Sequence, residues 1–272
     1  MKITFIGGGN MATALIAGLA GQLTAGANIH VVDPNPEQLA RLADNYGVTT
    51  AQQIGDAAGA SDVIVLAVKP QQMREVAAAL LPQLASARPL LLSIAAGIRG
   101  ADLARWLGGY GAIVRTMPNT PALIGQGITG MVAMDGVSAE QKAAADNIMK
   151  AVGATVWLDD EALIDPVTAV SGSGPAYVFY FIEAMQQAAQ ELGLSAEQGK
   201  QLALATFTGA AQLAARSPDE VSVLRERVTS KGGTTYAALA SMEQSGVKQA
   251  IVEAIKAASA RGRELGEQLG AD

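Results

Sequence analysis

Residues 3–12 read Ile-Thr-Phe-Ile-Gly-Gly-Gly-Asn-Met-Ala. A short apolar run rich in branched side chains meets three glycines, and a helical pattern over Met11–Leu23 follows at once. Gly7-Gly8-Gly9-Asn10-Met11-Ala12 fits G-x-G-x-x-A/G and stands in the context that pattern needs, after a predicted strand and at the opening of a predicted helix. Gly7 permits the tight turn and Gly9 lets main-chain amides approach a pyrophosphate. Ala12 keeps helix and strand close, and the helix N-terminus favours an anion. A glycine triplet alone is also an ordinary turn. Between this strand and this helix it predicts a dinucleotide cofactor held by Ile6, Gly7, Gly8, Gly9, Asn10 and Met11.

The same alternation continues for more than half of the chain. Apolar runs recur at Ile29–Val32, Val63–Val68, Leu90–Ile94 and Ile113–Val114, with helical patterns at Pro36–Tyr46, Gln72–Leu84 and Ala101–Trp106 between them. Fully apolar strands alternating with helices imply a parallel sheet covered on both faces. Gly127–Met134 and Thr155–Leu158 are two further strands flanking a helix near Ala139–Val152. After Glu161 strand-like runs cease. Helices are predicted at Pro175–Leu192, Ala196–Arg216, Asp219–Val228, Thr234–Ser245 and Val247–Leu269. The expected organisation is α/β: a doubly wound Rossmann-type domain over 1–161, then an all-helical domain over 162–272. Small residues such as Ala203, Ala205, Gly209, Ala210 and Ala211 suit close helix packing and a dimer interface.

Composition removes several classes of function. The chain has 272 residues, half of them hydrophobic, and a net charge of −6, the wrong sign for a nucleic-acid partner. It has no cysteine and a single histidine, so thiolate chemistry, histidine triads and multi-histidine metal sites are excluded by counting. No metal is expected. From Ile3 to Val32 there is no Asp, Glu, Lys or Arg, but the glycines and the polar Asn10, Thr13, Gln22, Thr24 and Asn28 break any membrane-spanning pattern. A cytoplasmic protein is expected.

Open α/β sheets bind ligands at the carboxyl ends of their strands. That places Lys69, the segment Ser93-Ile94-Ala95-Ala96-Gly97 and the segment Met117-Pro118-Asn119-Thr120-Pro121 around one crevice. Asp33 ends the second strand, where an acid hydrogen-bonds the adenosine ribose and repels a 2′-phosphate, leaning towards NADH. It is equally a cap or turn residue ahead of Pro34 and Pro36, and Lys69 is equally a solvated loop charge. In the helical part, Ser171-Gly172-Ser173-Gly174-Pro175-Ala176 reads as a hinge with a cap. Thr229-Ser230-Lys231-Gly232-Gly233-Thr234-Thr235 offers consecutive amides, hydroxyls and a cation at a helix start, which suits either capping or a small carboxylate.

These motifs, in this order and spacing, resemble the pyrroline-5-carboxylate reductase family, the last enzymes of proline biosynthesis. The resemblance rests on Phe5–Ala12, Ala67–Pro70, Ala95–Gly97, Met117–Pro121, Ser171–Ala176 and Val228–Thr235, and it covers nearly the whole chain. It implies reduction of 1-pyrroline-5-carboxylate to L-proline by NADPH or NADH. Gly7–Met11 and Ala67, Val68, Lys69 and Pro70 would hold the cofactor, with Ala95, Ala96 and Gly97 beside it and Asn119 near the nicotinamide. Ser230, Lys231, Gly232, Gly233 and Thr234 would receive the substrate, with Thr235 as the hydroxyl at the ring nitrogen. It also implies a homodimer at minimum and an assembly up to a decamer of dimers.

Two departures stand out. Many bacterial members carry Asn-Arg where this chain has Asp33-Pro34, and members often read Ser-Pro-Gly-Gly where this one has Ser230-Lys231-Gly232-Gly233. The competing readings are a β-hydroxyacid-type dehydrogenase and a non-catalytic NAD(P) sensor. The first resembles enzymes with a catalytic lysine on the first long helix after the sheet, and no lysine occurs from Ala151 through Gly199.

Overall fold

The structure is a computed structural model that describes residues 1–84 and 88–271. The chain divides into two compact units, one of residues 1–173 with 257–272 and one of residues 174–256.

In the first unit the order is β1 (Ile3–Ile6), α1 (Asn10–Leu19), β2 (Ile29–Val32), α2 (Pro36–Tyr46), β3 (Thr49–Ala51), α3 (Asp56–Gly59), β4 (Val63–Leu66), α4 (Met73–Leu80), β5 (Leu90–Ser93) and α5 (Gly100–Trp106). It continues with β6 (Ile113–Met117), β7 (Gly127–Ala133), α6 (Ala139–Lys150), β8 (Gly153–Trp157) and α7 (Ile164–Val167), which runs into a π-helical turn over Thr168–Gly172. Among the described residues the strands form one sheet in the order β3-β2-β1-β4-β5-β6-β7-β8. The order reverses between β1 and β4, which opens a crevice at their carboxyl ends.

Alternate residues of each central strand enter different cores. Ile3, Phe5, Val63, Val65, Leu90 and Leu92 pack with Leu15, Ile16 and Leu19 of α1, Leu39 and Leu42 of α2 and Ile148 and Met149 of α6. Ile6, Ile64, Leu66 and Leu91 pack with Met73, Ala77 and Leu80 of α4 and with Leu103 of α5. That period of two is the reason the strands read as unbroken apolar runs: both faces are covered.

Three features depart from the sequence reading. The sheet is parallel from β3 to β6, but β7 pairs antiparallel with β6 and β8 follows β7. Residues 118–126 are too short for a crossover, which needs about a dozen residues or more, so the chain turns back instead. The edge strand β3 has no apolar signature, because Thr49 and Thr50 are exposed and only β2 pairs with it. Helix α1 stops at Leu19 rather than Leu23, since Ala20 is extended and Gly21 takes φ +77°.

The second unit holds α8 (Gly174–Glu191), α9 (Ala196–Arg216), α10 (Val221–Arg227), α11 (Thr234–Gln244) and the first part of α12 (Val247–Gly270). Ser195 and Gln198 close a capping box at the start of α9. Phe181 of α8 and Phe207 of α9 meet with ring centroids 6.5 Å apart, while Phe179, Tyr180, Leu202, Leu213 and Val221 lie exposed. Residues 257–270 of α12 belong to the first unit, where Leu269 packs on the second core and Arg105 donates to the Gly270 carbonyl at 2.7 Å.

No helix among the described residues is long and apolar enough to cross a membrane.

Candidate functional site

The turn after β1 is held by main-chain bonds. Gly7 N–H donates to Val32 O at 2.7 Å and Ala67 N–H donates to Ile6 O at 2.8 Å, so the ends of β1, β2 and β4 are knit together. Gly7 takes φ +101°, and a Cβ there would lie 2.6 Å from the Ala67 carbonyl oxygen. Only glycine satisfies both conditions. Gly9 is different, with φ −65° and nothing within 4 Å of where its Cβ would stand. It is the N-cap of α1 and offers no side chain to the first-turn amides, which leaves them free for an anion.

These residues open on a cavity of about 620 Å³ lined by Ile6, Gly7, Gly9, Asp33, Ala67, Val68 and Lys69, among others. The open face at Gly9, the uncapped amides and the volume of the cavity suit a dinucleotide. Gln52, Gln53 and Ile54 after β3, and Glu75 of α4, line the same cavity. The sequence reading missed them, because β3 carries no strand signal that would bring its following loop to the crevice.

Asp33 is bound on both oxygens. Oδ2 accepts Gly8 N–H at 2.7 Å and Oδ1 accepts Asn35 N–H at 2.9 Å. It both faces the crevice and ties the glycine turn to the second strand. The α2 cap is Asn35, whose Oδ1 accepts from Glu37 and Gln38 N–H. Gln38 reaches back to the glycine turn, its Nε2 donating to Gly8 O at 2.5 Å.

The other strand ends are arranged differently. Ala95 is buried and Ala96 exposed. Gly97 takes φ +77° and faces α12, where a Cβ would meet Leu269 Cδ1 at 3.2 Å. It lines a separate cavity of about 420 Å³ with Arg99, Arg115, Glu161, Asp165 and Arg263. There Arg115, buried on β6, donates to Glu161 Oε1 at 2.6 Å, and Gly100 N–H donates to the same oxygen at 2.6 Å. Asn119 is buried with its amide engaged at both ends: Nδ2 donates to Ser171 O at 3.1 Å and Oδ1 accepts Ile128 N–H at 3.0 Å. It ties the start of β7 to the π-helical turn.

In the second unit Ser230, Lys231, Gly232, Gly233, Thr234 and Thr235 form one turn into α11. Gly232 takes φ +74° and Gly233 N–H donates to Ser230 O at 3.0 Å. Gly233 is the N-cap of α11 and provides no side-chain acceptor. A Cβ on it would lie 2.6 Å from Ser230 Oγ, so the hydroxyl stands directly beside the cap. Lys231 is exposed and Thr235 half-buried.

Comparison with known proteins bears on the family and the fold. Residues 161–265 match the family model for pyrroline-5-carboxylate reductase dimerisation, and residues 2–97 match the one described as NADP oxidoreductase, coenzyme F420-dependent. A pyrroline-5-carboxylate reductase of Pseudomonas aeruginosa is 49% identical over 269 residues, 99% of this chain and 98% of that protein. The solved structure of a pyrroline-5-carboxylate reductase from Coxiella burnetii is 40% identical, with a TM-score of 0.91 over 97% of this chain and 98% of that one. The Plasmodium falciparum pyrroline carboxylate reductase, solved with NADP bound, is 31% identical with a TM-score of 0.88, covering 98% of each chain. A Rossmann-type sheet with a glycine turn at its switch point, a helical dimerisation region and this identity across the full length lead to one conclusion: the chain belongs to the pyrroline-5-carboxylate reductase family.

Proposed function

We propose that this chain reduces 1-pyrroline-5-carboxylate to L-proline with NAD(P)H as reductant. The observation that carries the reading is a pair of helix starts, Gly9 before α1 and Gly233 before α11, each capped by a glycine that leaves its main-chain donors open. The reaction brings together two anionic groups, a pyrophosphate and a carboxylate, and each turn suits one of them.

In this reading Gly7–Met11 and Ala67–Pro70 hold the cofactor, with Ala95, Ala96 and Asn119 towards its nicotinamide end, while Gly97 faces α12 and lines the separate cavity. The bound nicotinamide supplies a hydride to the imine carbon. Ser230 and the amides of Gly232 and Thr234 orient the substrate carboxylate, the Gly233 N–H being held by Ser230 O, and Lys231 adds charge attraction. Thr235 hydrogen-bonds the ring nitrogen. A protonated imine is already electrophilic, so a weakly acidic hydroxyl suffices where a ketone would need a stronger acid. That accords with a chain whose one histidine, His30, lies on β2.

Asp33 favours NADH over NADPH. Its carboxylate is fixed by two main-chain donors, and Lys69 is the one cation among the described residues lining the cavity. A 2′-phosphate would meet that fixed charge with no arginine to offset it. The exposed apolar side chains of the second unit support a homodimer as the smallest working form; the decamer of dimers and the cytoplasmic location rest on the family resemblance alone.

The test is oxidation of NADH and NADPH with pyrroline-5-carboxylate added. Thr235→Ala is expected to lower kcat by about 100-fold. Ser230→Ala is expected to raise the substrate KM about tenfold, the effect of one lost hydrogen bond to a charged group. Both should leave cofactor affinity unchanged. Cofactor binding without turnover in the unaltered protein would overturn the reading.

A further inference from the structure

The middle glycine of the turn differs from its neighbours. Gly7 and Gly9 line the cavity, whereas Gly8 is buried and faces α2, where a Cβ would meet Leu42 Cδ1 at 3.1 Å and Gln38 Cγ at 3.4 Å. Its peptide groups are gripped on both sides. Asp33 Oδ2 takes Gly8 N–H at 2.7 Å. On the other side Gln38 Nε2 donates to Gly8 O at 2.5 Å and to Thr13 Oγ1 at 3.2 Å, and Thr13 Oγ1 donates to Gly8 O at 3.3 Å.

A peptide bond is planar and trans, so its C=O and the next residue's N–H point in opposite directions. Holding Gly8 O against Gln38 therefore fixes Gly9 N–H to point away from α2. Gly8 and Gly9 are both glycines, and nothing intrinsic to them sets the orientation of the peptide between them. The restraint has to come from outside the turn.

We infer that Gln38 is a positioning residue for cofactor binding: from α2, behind the turn, it aims the Gly9 amide that the pyrophosphate engages. Asp33 and Gln38 then divide two tasks. Asp33 stands next to the adenosine ribose and sets the preference between nucleotides, whereas Gln38 sets the affinity they share. No local sequence pattern marks Gln38, which resembles any half-buried polar residue in the first turn of an amphipathic helix.

This inference rests on reading the 620 Å³ cavity as the cofactor site, and its test separates the two. NADH and NADPH binding is titrated by fluorescence on the unaltered protein, on Gln38→Met, which keeps length but loses the donor, and on Gln38→Glu. Gln38→Met should weaken both nucleotides about tenfold, equivalent to about 1.4 kcal/mol, leaving their ratio unchanged. The kcat at saturating cofactor and the KM for pyrroline-5-carboxylate should not move.

Gln38→Glu should bind worse than Gln38→Met at alkaline pH, where a carboxylate faces the Gly8 carbonyl. It should recover as the pH falls towards about 4, where the protonated form, again a donor, predominates. A purely structural role would not produce that pH-dependent rescue. Unchanged affinity in Gln38→Met, or a loss confined to one nucleotide, overturns the inference while the cofactor site stands. Failure of the unaltered protein to bind either nucleotide overturns both.

Discussion

Gly7 and Gly9 are two residues apart in one turn, and the geometry predicts opposite consequences for the same substitution. Gly7→Ala places a methyl group 2.6 Å from a main-chain carbonyl at φ +101°. The left-handed backbone alone costs about 1–2 kcal/mol. Separating β1 from β4 enough to relieve the contact adds a similar amount, so the total is about 2–4 kcal/mol, a substantial part of the ~5–15 kcal/mol that stabilises a typical domain. The melting temperature should fall by roughly 6–12 °C.

Gly9→Ala meets nothing within 4 Å and keeps an ordinary φ. Reduced freedom of the unfolded chain contributes about 0.4–1 kcal/mol of stability. Loss of a tolerated N-cap residue takes away a comparable amount, and the melting temperature stays within a degree or two. Its new methyl group nevertheless projects into the space a pyrophosphate needs, so NADH affinity should collapse while the fold survives. Thermal unfolding by circular dichroism and nucleotide titration on both variants make the comparison. A Gly9→Ala protein that melts as early as Gly7→Ala, or that still binds NADH normally, would refute the assignment of structural and binding roles within the turn.

Two further outcomes follow from groups away from that turn. Glu161→Ala strands Arg115, whose side chain is 6% exposed beside a Glu161 that is 33% exposed. The expected cost in urea unfolding is about 2–3 kcal/mol, less than for a wholly buried pair, and Arg115→Met with Glu161→Leu should recover most of it; a silent single variant would contradict the ion pair's role. Burial lowers the pKa of His30, the chain's one histidine, below 6.5. The unfolded chain then binds the proton more readily, so stability is full above pH 6.5 and is lost as pH falls through the folded value. His30→Gln should flatten the acid limb of a stability–pH curve, and an unchanged slope would exclude this histidine as its source.

The parts of this fold visible in the sequence are those governed by local periodicity. Val63–Leu66 is buried on both faces and reads as an unbroken apolar run, and Ile3–Ile6 and Ile29–Val32 still read as strands although Thr4 and His30 interrupt them. Gly7 announces itself because conformation and close approach demand glycine, and Gly9 because the motif spacing sets it at the helix start. β3 is invisible by the same logic, being exposed, paired on one side and built of two threonines and an alanine. With β3 went Gln52 and Gln53, whose place in the crevice depends on where that strand ends. The reversal of β7 is a property of link length rather than of any residue. Asn119 reads as a polar residue at a strand end, but its Ser171 and Ile128 partners are fixed only by the folded chain. The double engagement of Asp33, turn brace and crevice wall at once, unites two readings that its sequence position left apart.

Helix α12 begins in one compact unit and finishes in the other, with residues 257–270 completing a body whose remaining residues are 1–173. For a chain synthesised in one direction this order matters. The sheet, its crossovers and the glycine turn all leave the ribosome first, yet the surface against which Leu269 packs stays bare until the whole helical segment 174–256 has followed. The hydrogen bond between Arg105 and Gly270 closes a loop of 165 residues that takes in β6–β8 and the whole helical segment, and such distant closures are slow. The first unit therefore keeps one seam open until residues 257–270 have followed the helical segment.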